Sequence, residues 1–72
     1  MTKEVFIQKF SDILQTEEEI TLNSVLEELE DWDSLTTMAV VSALLENGKK
    51  ITVKEIANCQ TVGEIAKFFG VV

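Results

Sequence analysis

The sequence predicts an all-α fold: a small bundle of three main helices plus one short helix, with a long loop between the first and second. Three observations lead there. The 72 residues contain no proline, so the strongest helix breaker is absent. No stretch sustains the apolar–polar alternation of a half-buried strand. Ser or Thr followed three residues later by Glu occurs at Ser24–Glu27, Thr52–Glu55 and Thr61–Glu64, each a capping box able to open a helix.

Each element follows from its own residues. Over 3–15, Phe6, Phe10, Ile13 and Leu14 recur at helical spacing while Lys3, Gln8, Asp12 and Gln15 fall elsewhere, so the first helix is amphipathic, with Thr2 as its N-cap. From Thr16 to Asp33 the periodicity fails. Three glutamates precede Ile20 and Leu22, spaced by two, and Leu26 and Leu29, spaced by three. This predicts a long ordered connection pinned by isolated apolar anchors, with one short turn capped by the Ser24–Glu27 box. A connection of that length in a small domain is usually functional. The second helix starts at Asp33 or Ser34 and runs to about Asn47, where Asn47-Gly48 supplies a stop. The Thr52–Glu55 box opens a short third helix through Ala57. The Thr61–Glu64 box opens a fourth from Val62 to about Phe69, ended by Gly70.

Size and composition bound the function. A chain of 72 residues makes one domain and buries only about 60% of its unfolded surface, which argues against a deep catalytic cleft. With 46% hydrophobic and 26% charged residues the composition is that of a folded domain. The net charge is −7 and every basic residue is lysine, so the basic stripe of a nucleic-acid binder is missing. Ten of the acids lie in residues 1–36 against Lys3 and Lys9. That polarity either steers basic partners to one side or marks a solvated acidic loop. Cys59 is the only cysteine and there is no histidine, so neither an internal disulfide nor a Cys- or His-based metal site is expected; Cys59 reads as a small buried hydrophobe. The first residues lack the apolar segment of a secretory signal, and no apolar run approaches the ~20 residues of a membrane span. A cytoplasmic location and a monomer are the expectations.

The second helix is unusually apolar. One stripe is Leu35, Met38 and Ser42, another Thr37, Val40, Val41 and Leu44 with Leu45 close by, and no charge falls between Asp33 and Glu46. A surface helix needs only one apolar stripe. Either this helix is the centre of the bundle or one stripe faces a partner, and a domain this small cannot cover a helix on every side. Leu35 and Met38, on the first turn beside Ser34, are the expected exposed pair.

On residue type and position alone, Ser34 reads as a helix cap. Nucleophilic catalysis by it would need a neighbouring base; there is no histidine, and an exposed carboxylate beside it is a poor base at neutral pH. A serine that another enzyme modifies needs exposure, a helix start and neighbours that a partner can read. A phosphodiester at Ser34 would sit at the positive end of the helix dipole, beside unpaired backbone N–H groups.

Asp33-Ser34-Leu35 lies near mid-chain in an acidic sequence, after a long loop ending in Leu29 and Trp32, and opens an apolar helix. Ile51-Thr52 and the run Gln60-Thr61-Val62-Gly63-Glu64-Ile65 follow downstream. In these features the whole chain resembles the acyl carrier protein family, and residues 1–72 would form one acyl or peptidyl carrier domain. The resemblance implies that Ser34 receives 4′-phosphopantetheine from coenzyme A through a phosphopantetheinyl transferase with Mg²⁺, and that the terminal thiol holds acyl or aminoacyl groups as thioesters. It implies a non-catalytic carrier whose partners are that transferase and acyl-activating and acyl-processing enzymes. Asp33 would help contact the transferase or its metal, with Leu35 beside it. Leu35, Met38, Ser42 and Glu46 would form the partner-binding face, and Val40, Leu44, Ile56 and Ala57 would line a shelter for the acyl chain; ordinary core is the plainer reading of those four. The acids that carriers of bacterial fatty acid synthesis usually place after the serine-leucine start are replaced by Thr36, Thr37, Met38, Ala39 and Val40, and Lys49 and Lys50 follow Gly48. With Trp32 before Asp33, these departures imply a specialised carrier on a polyketide-like, peptide-like or sugar-modifying route, docking more by apolar contact than by charge. The alternative is an unmodified helical interaction module that binds a permanent partner through the second helix.

Overall fold

A computed structural model describes residues 1–71 and contains four α-helices: α1 (Lys3–Leu14), α2 (Ser34–Glu46), α3 (Val53–Ala57) and α4 (Val62–Phe68), with a single 3₁₀ turn at Leu26–Glu28. The all-α expectation holds. The described residues contain no strand, only one isolated antiparallel bridge between Val25 and Thr61.

The helix boundaries are set by local chemistry. The Val5 N–H donates to Thr2 Oγ1 at 3.2 Å, so Thr2 caps α1. The helix stops at Leu14, one residue short of the sequence expectation, because Gln15 turns left-handed at φ 54°. Capping boxes open α3 and α4: Glu55 N–H donates to Thr52 Oγ1, Glu64 N–H to Thr61 Oγ1, and each glutamate carboxylate accepts from its capping threonine's N–H. At the end of α2, Lys49 N–H donates to Leu44 O and Gly48 N–H to Leu45 O, both at 3.0 Å. This is a Schellman closure, and Gly48 supplies the φ of +79° that it requires.

The long loop is held by backbone pairing. Ser24 does not cap the 3₁₀ turn: that turn begins at Leu26, after Val25, without a side-chain cap, and Ser24 Oγ instead accepts from Thr21 N–H at 3.0 Å. The physical reason is the bridge. Ser24 O accepts from Val62 N–H at 3.0 Å and Leu26 N–H donates to Gln60 O at 2.9 Å, which fixes residues 24–26 in extended pairing with the start of α4. One turn earlier in the loop, Gly63 N–H donates to Leu22 O at 2.8 Å. The loop thereby satisfies the first two N–H groups of α4, which would otherwise lack partners.

That close approach dictates a glycine. A Cβ on Gly63 would lie 2.9 Å from Leu22 O, a backbone atom that cannot swing aside. Gly63→Ala is expected to cost about 1–3 kcal/mol through overpacking, read as a lower urea midpoint at unchanged slope; an alanine variant as stable as the parent would show that the loop yields freely.

Phe6 and Phe10 of α1, Val40 and Leu44 of α2, Ile56 of α3, Val62 and Ile65 of α4, and Ile20 and Leu26 of the loop share one core. Phe6 lies 5.8 Å from Phe10 and 5.3 Å from Phe69 between ring centroids. Trp32 extends this aromatic row to the segment before α2, its ring 5.7 Å from that of Phe10.

Glu64 adds a pH dependence. Its carboxylate accepts from the backbone N–H groups of Gln60 and Thr61, which hold it below its ordinary pKa of 4.5, with Lys67 helping and burial opposing. A depressed folded-state pKa means that the contribution is present above the unfolded value and lost as pH falls through the folded one. Stability should therefore fall more steeply below about pH 4.5 in the parent than in Glu64→Gln, measured by denaturation between neutral and acid pH. Equal acid sensitivity of the two chains would refute the assignment.

Candidate functional site

The segment leading to α2 is fixed by one aspartate and two threonines. Asp33 is the N-cap: its Oδ1 accepts from Thr36 N–H at 3.0 Å, while Thr36 Oγ1 accepts from Asp33 N–H at 2.9 Å. The single Thr36 hydroxyl proton has Asp31 O, Asp33 O and Asp33 Oδ1 within reach and serves one at a time. Asp33 O also accepts from Thr37 N–H at 2.9 Å and from the buried Thr37 hydroxyl at 2.8 Å. The turn is thus held through both the side chain and the carbonyl of Asp33.

This arrangement leaves Ser34 without a structural duty. It is the first residue of α2, exposed, and its hydroxyl makes no hydrogen bond among the described residues. The capping role that residue type alone suggested for it belongs to Asp33 and Thr36. The N–H groups of Ser34 and Leu35 likewise have no partner among the described residues, in contrast to those of Val62 and Gly63 at the start of α4. An anion attached to Ser34 Oγ would meet open donors at the positive end of the helix, an effect of about 0.3–1 kcal/mol at an exposed site.

The two stripes of α2 separate as their spacing requires. Thr37, Val40, Val41 and Leu44 are buried, whereas Leu35 and Met38 remain 75% and 55% exposed, with Ser42 and Glu46 beside them in solvent. Leu45 belongs with the exposed stripe rather than the buried one, at 54% exposure; seven residues beyond Met38, it returns to nearly the same angle on the helix. Val40, Leu44 and Ile56 lie fully inside the core, while Ala57 is exposed and borders an open depression with Trp32 and Cys59.

Thr36 and Thr37, to which the sequence assigns no part in the site, are the residues that fix it. The signal was present as the spacing of Asp33 and Thr36, a capping box with threonine in place of the usual glutamate. Cys59 is partly buried, its Sγ within 3.6 Å of Glu55 O, and burial first, then Glu64, push its thiol pKa up. It is held as a protonated thiol rather than a reactive thiolate. Among the described residues no cluster of His, Cys, Asp or Glu could hold a metal ion, and no helix is long and apolar enough to cross a membrane.

The free hydroxyl, the open N–H groups and the absence of any side chain bonded over Ser34 fit a phosphodiester-linked arm. The family model described as phosphopantetheine attachment site matches residues 4–69. No curated protein and no solved structure matches the chain. Since the family model spans nearly its whole length, the chain belongs to the phosphopantetheine-attachment family of carrier domains, the acyl carrier protein type, whose members hold a covalent 4′-phosphopantetheine group.

Proposed function

We propose that Ser34 is the attachment point, and that the chain carries acyl or aminoacyl intermediates as thioesters on its arm and presents them to enzymes of a specialised biosynthetic route. The observation behind this reading is that Ser34 opens α2 with an exposed hydroxyl that forms no internal hydrogen bond, its capping duty taken by Asp33 and Thr36. When bound, the arm supplies a terminal thiol for thioester exchange. In its attachment, Ser34 Oγ forms a bond to the phosphorus of coenzyme A that bears the pantetheine, and the adenosine bisphosphate half leaves. The serine proton needs a base that this chain does not provide: it has no histidine, and the Asp33 carboxylate is engaged by Thr36. A phosphopantetheinyl transferase must therefore supply the base and, with Mg²⁺, hold the departing phosphate. Asp33 stands close enough in sequence to contact that enzyme or its metal.

Leu35, Met38 and Ser42, with Glu46 at the edge, form the docking face. Docking there is chiefly apolar. Lys49 and Lys50 lie just past the helix end and favour partners with acidic groups at that end. The chain acts as a monomer in the cytoplasm.

Incubating the apo protein with coenzyme A, Mg²⁺ and a broad-specificity transferase, then measuring intact mass, tests the assignment. The parent should gain one phosphopantetheine and Ser34→Ala none. Equal labelling of both chains, or labelling of neither, would overturn it. The exposed stripe of α2 is also what an unmodified interaction module would present, and the same experiment separates the two readings.

A further inference from the structure

The start of α2 offers two capping boxes one residue apart. Asp33 with Thr36 is one, and Ser34 with Thr37 has the same spacing. Aspartate and serine are caps of nearly equal strength, so residue type does not decide where the helix begins. A start at Ser34 would turn its Oγ onto the Thr37 N–H. The oxygen that has to attack phosphorus would then be engaged and aimed at its own helix.

The structure adopts the other start, and two threonine hydroxyls distinguish it. Asp33 N–H donates to Thr36 Oγ1 at 2.9 Å, a bond available because Thr36 is the third residue of the helix. The Thr36 hydroxyl also has Asp31 O and Asp33 O within reach, at 3.2 and 3.0 Å, which ties the helix start to the turn before it. From the inner side, Thr37 Oγ1 donates to Asp33 O at 2.8 Å while the residue is only 6% exposed. Moving the start to Ser34 would take Asp33 O out of the helix and strand that buried hydroxyl, which is costly away from water. Thr37 therefore cannot serve Ser34 as Thr36 serves Asp33. Both hydroxyls bond to Asp33, and neither bonds to Ser34.

We infer that Thr36 and Thr37 are positioning residues for phosphopantetheine transfer: together they hold the start of α2 at Asp33 and keep Ser34 out of the cap, with its hydroxyl free. The inference rests on Ser34 being the attachment point. It makes the competent form of the apo protein one of two helix registers, and a transferase can modify only the fraction that starts at Asp33.

Combining Thr36→Val with Thr37→Val removes both hydroxyls and keeps the β-branched shape. The two caps then compete on their own near-equal preference. With about half of the molecules presenting the serine, KM for the apo protein with a broad-specificity transferase should rise about twofold or more at unchanged kcat. In ¹³C spectra of the apo protein, the Ser34 Cα and Cβ shifts should move from helical toward extended values. Combining Thr36→Ser with Thr37→Ser keeps both hydroxyls and should retain the parent's KM and shifts; its lost methyl groups lower Tm, so this pair separates register from stability. A valine pair in which Ser34 stays helical, or whose KM is parental, would overturn the inference, as would a serine pair that behaves like the valine pair. If the valine pair does not fold, Thr36→Val alone decides by the same readouts. A parent that gains no mass from coenzyme A overturns the attachment at Ser34 together with this inference, whereas a parent that loads no better than the valine pair overturns this inference alone.

Discussion

Phe10→Ala is expected to remove about 3–5 kcal/mol of stability, close to unfolding a domain whose total is roughly 4–11 kcal/mol at its length. Phe10 is 1% exposed and joins the core at Phe6 to the site segment at Trp32, with ring centroids 5.8 and 5.7 Å away. Its removal leaves a cavity beneath α1 and at the same time frees the indole that fixes the chain just before Asp33. Two consequences should appear together. The urea midpoint falls sharply, and Trp32 emission shifts to the red under conditions where the remaining protein is still folded. Transfer of phosphopantetheine to Ser34 should slow in the same variant, since the turn that presents the hydroxyl loses its anchor. A loss below about 1 kcal/mol, too small for a buried aromatic, would mean that neighbouring side chains collapse into the space and that the aromatic row is not what holds the site segment.

Much of the fold was legible because it is written locally. Thr2, Thr52 and Thr61 cap through bonds to residues three positions away, and Gly48 ends α2 through its own φ, so short motifs suffice to place these boundaries. What escaped was non-local or shared among side chains. Ser24 has the spacing of a capping residue, yet the pairing of residues 24–26 with the start of α4 overrides it, and backbone pairing leaves no mark on residue identity. Leu45 resembles its buried neighbour Leu44 in every respect but angle. The free state of Ser34 was hidden: residue type and position made Ser34 the cap, and only the geometry shows Asp33 engaged with Thr36 and the serine released.

Met38→Glu should weaken recognition at least about tenfold, equivalent to some 1.4 kcal/mol of transition-state binding, while leaving the fold intact. Met38 is 55% exposed on the same side as Leu35 and Leu45, so a carboxylate there stays in water in the free protein, and surface substitutions of this kind usually change stability by no more than about 0.5 kcal/mol. Against an apolar partner surface the same carboxylate must be desolvated, which is costly without a counter-charge. The comparison is kcat/KM for phosphopantetheine transfer to the parent and the variant, alongside their Tm values. Met38→Leu is the control that retains apolar contact and should stay near the parent. A variant that is modified normally would place docking on another face. One that loses many degrees of Tm would put Met38 in the core. The salt dependence of the parent's kcat/KM separates this face from a charged one: apolar docking changes little with ionic strength, whereas docking through paired charges weakens steeply as salt screens them. A flat profile combined with the Met38→Glu defect is the result expected of a helix that carries no charge between Asp33 and Glu46.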